Sequence, residues 1–264
     1  MGRLAVAAML AALAWPASAG AQRWDPNVQR AAAWAAQRQG AVSFAVRTSD
    51  RLWGRRLDRQ VPSASVIKAM FMVTYLRRAA DRDLEPADRA LLAPMIRRSD
   101  NVAATRIRDI VGNAAVVRLA EQAGMTRFEI ASVWGLSRIT ARDQTRFFLG
   151  IEDLLPERHR RYAMRLLRTI VPSQRWGMAQ VIPDRWRLYF KGGWGSGTGV
   201  VDHQVGLLRR GQHRVAIAVL TTGSPSHAYG KATLHGVARR LIATLGPQVT
   251  GTAGPTETAI QASR

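Results

Sequence analysis

The chain has 264 residues, 47% of them hydrophobic, a formal net charge of +21 and no cysteine. That length allows one large unit or two closely packed ones with an ample core. The missing cysteines exclude disulfides, a thiol nucleophile, thiolate metal sites and lipid attachment through an N-terminal cysteine. The charge comes almost wholly from arginine and is spread along the chain, with no basic stripe interleaved with aromatics, so nucleic acid is not an expected partner. The bland reading of that charge is an arginine bias spread over exposed faces, and the sharper one is attraction to an anionic envelope polymer.

Taken in chain order, residues 1–21 read as a signal peptide. Arg3 opens an apolar run ending near Trp15, and small residues follow, with cleavage sites after Ala19 or Ala21. The run is shorter than the ~20 apolar residues a membrane span needs. No later segment is apolar enough to span, so a secreted or periplasmic chain with no stable span is expected, retention of the signal as an anchor being the alternative. Residues 22–246 form the expected mature domain. Helix is expected over 23–39, then strands over 41–48 and 51–56. A helical block follows over 65–76, 86–96, 102–111 and 114–123. Thr140-Ala141-Arg142-Asp143 has the form of a capping box that opens a helix to about residue 154, with another over 158–170. Strands return over 186–191, 201–208 and 214–222, with a turn or hairpin at 193–199, and a helix closes the domain over 226–245. The small, polar tail 247–264 is expected to be disordered.

Three short elements carry candidate chemistry. In Ser65-Val66-Ile67-Lys68, Lys68 is the only charge between residues 61 and 76. A buried, unpaired ammonium there is costly, so it must be paired, neutralised or snorkelling. The i, i+3 spacing puts it on one helical face with Ser65, within reach of that hydroxyl as a low-pKa base. Read alone, the element is a capping serine followed by a snorkelling lysine. Ser99-Asp100-Asn101 between two helices reads alone as a cluster of N-caps. Lys191-Gly192-Gly193 reads alone as a strand-end turn. The five histidines show no metal-ligand spacing, so neither a metal nor another cofactor is expected. Residues 193–199 are glycine-rich but match neither a phosphate loop nor G-x-S-x-G, and no spacing supports a histidine triad through His203.

Together, S-x-x-K, S-D-N and a K-T/S-G-like triplet, in this order and after a signal, resemble the signature set of class A β-lactamase-like serine hydrolases, in the superfamily of serine β-lactamases and penicillin-binding proteins. The resemblance implies an α/β fold whose antiparallel sheet is built from both chain ends, flanked by helices, with a central helical region. It implies Ser65 as nucleophile, Lys68 as base, Ser99 as proton relay to the leaving nitrogen, and Lys191 as a positive charge toward Ser99 and a substrate carboxylate. Asn101 would hold a substrate amide, and Asp100 would be structural. Gly192 and Gly193 would line a strand that takes the substrate as an added strand. The N–H groups of Trp194 and Ser65 would form an oxyanion hole. Gly192 departs from the usual Thr or Ser.

Two further departures matter. The stretch from Lys68 to Ser99 is short for the family, and no Ω-loop E-x-x-L-N is recognisable, Glu129 being followed by Ile-Ala-Ser. The expected activity is therefore acyl-enzyme formation with a β-lactam or a peptidoglycan-like substrate. Alternatives are a D,D-peptidase or esterase-like enzyme, or a penicillin-binding protein, with slow deacylation. Outside catalysis, the alternative is a non-catalytic module that binds envelope polymer.

Overall fold

The computed structural model describes residues 24–245 and 258–261; the expected signal segment lies outside them. Helix α1 (Val28–Ala36) begins later than expected because Asn27 caps it, its side chain accepting from Arg30 N–H. Strands β1 (Ala41–Arg47) and β2 (Arg51–Arg55) form a hairpin. The middle of the chain holds β3 (Val61–Pro62), α2 (Lys68–Arg78), α3 (Pro86–Arg97), α4 (Asn101–Val111), α5 (Asn113–Gln122), β4 (Arg138–Ile139), α6 (Ala141–Leu149), α7 (Ile151–Leu154) and α8 (Glu157–Arg168). Strands β5 (Arg187–Gly195), β6 (Val201–Arg210) and β7 (His213–Thr222) return to the sheet, α9 (His227–Ile242) packs on it, and β8 (Thr258–Gln261) ends the described chain.

The sheet order is β5-β6-β7-β1-β2-β8. Its first five strands are antiparallel, so both chain ends build one sheet and the helices are inserted between them, as the sequence implied. Strand β7 is buried at every position from Val215 to Thr221, which requires cover on both faces. Helices α9 and α6 supply it, each packing on β6 and β7, and α1 packs against α9. Among the described residues, no helix is long and apolar enough to cross a membrane.

Four further expectations change. The helix expected from Ser65 starts as a 3-10 turn over Ala64–Ile67, because Ala64 stands at φ 44, outside the α region. The helix expected from Ala141 to about 154 breaks at Gly150, whose N–H caps α6 on Arg146 O and Phe148 O. The strand expected to end at Lys191 continues to Gly195, so the glycines lie in β5 instead of a turn. The tail was expected to be disordered throughout; its residues 258–261 instead form β8, parallel to β2, whose outer edge has unpaired backbone groups to offer. The rest of the tail lies outside the described residues.

Thr140 caps α6 as expected, its Oγ1 accepting from Asp143 N–H. The Asp143 carboxylate serves elsewhere: it accepts from the backbone N–H groups of Thr126 and Arg127, tying down the start of the segment that leads under the cleft.

Candidate active site

Ser65 lies on the 3-10 turn at the mouth of α2 and is 9% exposed. The turn is held from three sides. Ser63 N–H donates to Ser137 O (2.7 Å) and Ser63 Oγ donates to Trp134 O (3.3 Å). From the sheet, His203 Nε2 donates to Pro62 O (2.9 Å) while its Nδ1 accepts from Thr221 N–H (3.1 Å). That pattern requires the neutral imidazole, and burial pushes its pKa down to about 4. His203 is thus a strut between β6 and the turn that carries Ser65, with both nitrogens engaged by backbone.

Lys68 and Lys191 are both 0% exposed. They come from different elements, α2 and β5, and converge on one hydroxyl. Lys68 Nζ donates to Ser99 O (2.6 Å) and Asn101 Oδ1 (2.7 Å) and lies 3.3 Å from Ser99 Oγ. Lys191 Nζ donates to Ser99 Oγ (3.0 Å) and to Gly192 O (2.7 Å). Ser99 presents its carbonyl and hydroxyl to Lys68 together because its backbone is at φ 60, a conformation that disfavours a non-glycine residue and persists only where surroundings enforce it. Asp100 supplies part of that enforcement, capping α4 by accepting from Ala103 N–H (2.8 Å).

Burial pulls the Lys68 pKa down to about 7, the Asp100 charge partly opposing it. Lys191 is pushed well below the ordinary lysine range by burial and then by Lys68. A neutral Lys68 has two N–H bonds to give, matching its two short contacts, and keeps a lone pair for a hydroxyl. Among the described residues, Lys68 has no hydrogen bond to Ser65 Oγ; the structure instead links it to Ser99 and Asn101.

The sheet side of the cleft is β5, first in the strand order, with β6 on one side only. At Gly193 a Cβ would lie 2.8 Å from Ser65 N and 3.0 Å from Val66 N, so glycine is what lets the strand close on the turn that carries Ser65. At Gly192 a Cβ would meet the Trp194 ring at 3.7 Å. The indole therefore lies beside the place where the family's hydroxyl-bearing side chain would extend. Trp194 stacks on His227 (centroids 6.1 Å apart, 29° between planes), and Trp176 meets both edge-on. His227 Nδ1 is hydrogen-bonded to the buried Asp202, whose pKa burial raises against the pull of His227.

On the helical side Trp134 faces Lys68, with Nζ 5.0 Å from the ring centroid. Its Nε1 donates to Thr105 Oγ1 (3.1 Å), and its ring packs edge-on to Phe71. Glu129 is turned away: it is exposed, and its Oε1 accepts from Gln60 Nε2 (2.7 Å). Sequence reasoning named Ser65, Lys68, Ser99, Asn101, Lys191 and Gly193, and the structure brings them into one cluster around β5 and the start of α2. It missed Trp134, Trp176, Asp202 and His227. The last two are 25 residues apart with no shared motif, and an isolated tryptophan in a loop carries no signal of what it will cover.

The sheet, the inserted helices and this cluster define an α/β protein of the β-lactamase/transpeptidase type. A sequence model of the β-lactamase enzyme family matches residues 88–245, and the chain belongs to that family. The matched segment contains Ser99, Asn101 and Lys191 to Trp194; Ser65 and Lys68 precede it. No curated protein sequence matches the chain. Among solved structures, a β-lactamase from Sphaerobacter thermophilus DSM 20745 is similar at a TM-score of 0.73 and 18% identity, over 84% of this chain and 99% of that one. A β-lactamase from Chitinophaga pinensis DSM 2588 is similar at 0.72 and 14%, over 83% and 99%. The structure of PBP-A is similar at 0.71 and 16%, over 83% and 95%.

Proposed function

We propose that this chain is an exported serine hydrolase that forms an acyl-enzyme at Ser65 with a β-lactam or a related D-amino-acid amide, and releases it slowly. The observation that carries the reading is the convergence of two fully buried lysines on Ser99 Oγ. One buried lysine beside a serine has a structural explanation. Two, from separate elements and both depressed in pKa, form a line along which a proton moves from an attacking hydroxyl to a leaving nitrogen.

In this reading Lys68, which sheds its own proton as pH passes about 7, takes the Ser65 proton as the oxygen attacks the carbonyl carbon. The carbonyl oxygen, now negative, is held by the N–H groups of Ser65 and Trp194, which the close approach of Gly193 brings together. As the C–N bond breaks, Ser99 gives its proton to the nitrogen and is resupplied from Lys68, the field of Lys191 stabilising the charge. Asn101, in contact with Lys68, would hold the substrate's acyl side chain, and Gly192 and Gly193 would present β5 as the strand on which the substrate is added.

Slow release is supported by Trp134. Its indole covers the Lys68 amine, and among the described residues no carboxylate is hydrogen-bonded to Lys68 or Ser99 that could activate water. The similarity to PBP-A as well as to β-lactamases is compatible with either fate of the acyl group.

The test is covalent labelling. A fluorescent penicillin should add once to the mature protein, at Ser65 by mass spectrometry, and Ser65→Ala should abolish the adduct. With a chromogenic cephalosporin, a burst of about one product per enzyme should precede slow turnover. A folded protein that takes no label, while binding envelope polymer, would establish the non-catalytic alternative.

A further inference from the structure

Helices α1 and α9 come from opposite ends of the chain, and together they hold a group of arginines without counter-ions. A groove of about 520 Å³ between them is lined by Asn27, Arg30, Trp34, Gln37, Arg239 and Arg240, among others. The arginines elsewhere are often neutralised: Arg51, Arg82, Arg142, Arg209 and Arg214 each pair with a carboxylate. Among the described residues Arg30, Arg239 and Arg240 have no such partner.

The local packing fixes where one of these charges sits. The Arg240 guanidinium lies 4.3 Å from the centre of the Trp34 ring and donates from Nη1 to Gly236 O (3.0 Å). Trp34 is itself locked against α9, since a Cβ at Gly236 would collide with its indole, and its Nε1 is buried with no partner. Burial, Arg239 and Arg30 all act to lower the Arg240 pKa, so the cations oppose one another and no acid relieves them. The fold holds like charges together around an open space.

We propose that this groove binds a phosphate monoester. Guanidinium groups present forked N–H donors that match a tetrahedral oxyanion, and several of them suit a dianion better than a single carboxylate. The volume leaves room for a sugar or polyol on the ester, against Trp34 and Ala33. Arg239 is 12 residues along α9 from His227, about 18 Å at 1.5 Å per residue. The groove is thus a second site, separate from the cleft, that can hold a phosphorylated molecule while Ser65 is free.

A net charge of +21 attracts any anion, so the test needs a charge-matched control. The full chain is titrated with glycerol 1-phosphate by calorimetry in ~0.15 M salt, and sedimented with vesicles of phosphatidic acid in phosphatidylcholine. R30Q/R239Q/R240Q is compared with R78Q/R106Q/R118Q, which removes the same charge from exposed positions on α2, α4 and α5. The groove triple should weaken binding ~10-fold or more, and the control triple less than about 2-fold. Binding of glycerol 1-phosphate identifies a free phosphate ester as sufficient; binding to vesicles alone identifies a lipid headgroup. Equal losses in both triples, or no wild-type binding to either probe, would overturn the proposal. Should the groove triple unfold, Arg239→Gln alone decides: Arg239 is exposed, so melting should be unchanged and binding weaker by about 3-fold, and unaltered binding would overturn the site. Penicillin labelling of Ser65, measured on the same variants, should not change, which keeps the fate of this site separate from that of the catalytic reading.

Discussion

The two walls of the cleft are built of different material. The helical wall consists of side chains, Lys68, Ser99, Asn101 and Trp134, gathered from segments whose backbone is bent to present them, with Ala64 at φ 44 and Ser99 at φ 60. The strand wall is mostly main chain: Gly193 removes a side chain so that β5 can touch the turn that carries Ser65, and the aromatic layer of Trp194, His227 and Trp176 packs behind. Chemistry on the first wall depends on which atom stands at a position. On the second it depends on how close a backbone can come. The walls should therefore fail differently when altered.

The largest effect is expected on the helical wall. Lys68→Met should slow acylation of Ser65 by ~10²- to 10⁴-fold, measured by stopped-flow labelling. The fold should survive. Ser99 O and Asn101 Oδ1 each lose a donor, at about 1–3 kcal/mol if left unsatisfied, but a desolvated amine leaves with it. In the wild type, acylation should rise as pH passes about 7, where the buried amine loses its proton, and the variant should lack that inflection. The same shift has a stability sign. Between about 7 and the ordinary 10.5 the unfolded chain binds the proton that the folded chain has released, so this site's contribution rises with pH across that window and is lowest below it.

On the strand wall, Gly193→Ala puts a methyl 2.8 Å from Ser65 N. The strand must retreat, so acylation should fall by about 10²-fold as the oxyanion donors part, with a stability loss of about 1–3 kcal/mol from overpacking. A fall in labelling without any change in melting would mean that the strand yields freely and that the contrast between the walls is overstated.

His203 joins the walls, and its effect should be on stability. Its folded pKa is about 4 against an ordinary 6.5, so as pH falls the unfolded chain takes up the proton first. Stability should drop by about 3 kcal/mol between those limits, and urea titrations should find that slope reduced in His203→Gln. Glu129→Gln should do least. Its carboxylate is exposed and bonded to Gln60, so burst and turnover should match the wild type; a loss of turnover would mean that this carboxylate reaches the acyl-serine.

What could be read beforehand follows the same division. The helical block, the return to strands and the side chains that cluster at the candidate site were legible because periodicity and short motifs are local properties of the chain. The extension of β5 through Gly192, Gly193 and Gly195 was not, since a glycine reads as a turn until a neighbouring strand pairs with it, and neither was the interruption of α6 at Gly150, since a lone glycine inside a helical pattern does not fix a break. Trp134 was invisible for another reason: that it covers Lys68 depends on Ser63 and Thr105, contacts made across the fold. The meeting of Asp202 with His227 is likewise a product of β6 lying beneath the start of α9.

The scarcity of lysine has a practical consequence. Lys68 and Lys191 are wholly enclosed, which leaves Lys231, partly exposed on α9, as the lysine side chain that a solvent-borne amine reagent can meet. A bulky succinimidyl ester should thus attach a dye or a surface linker through α9 or the chain's α-amino group and spare both buried amines.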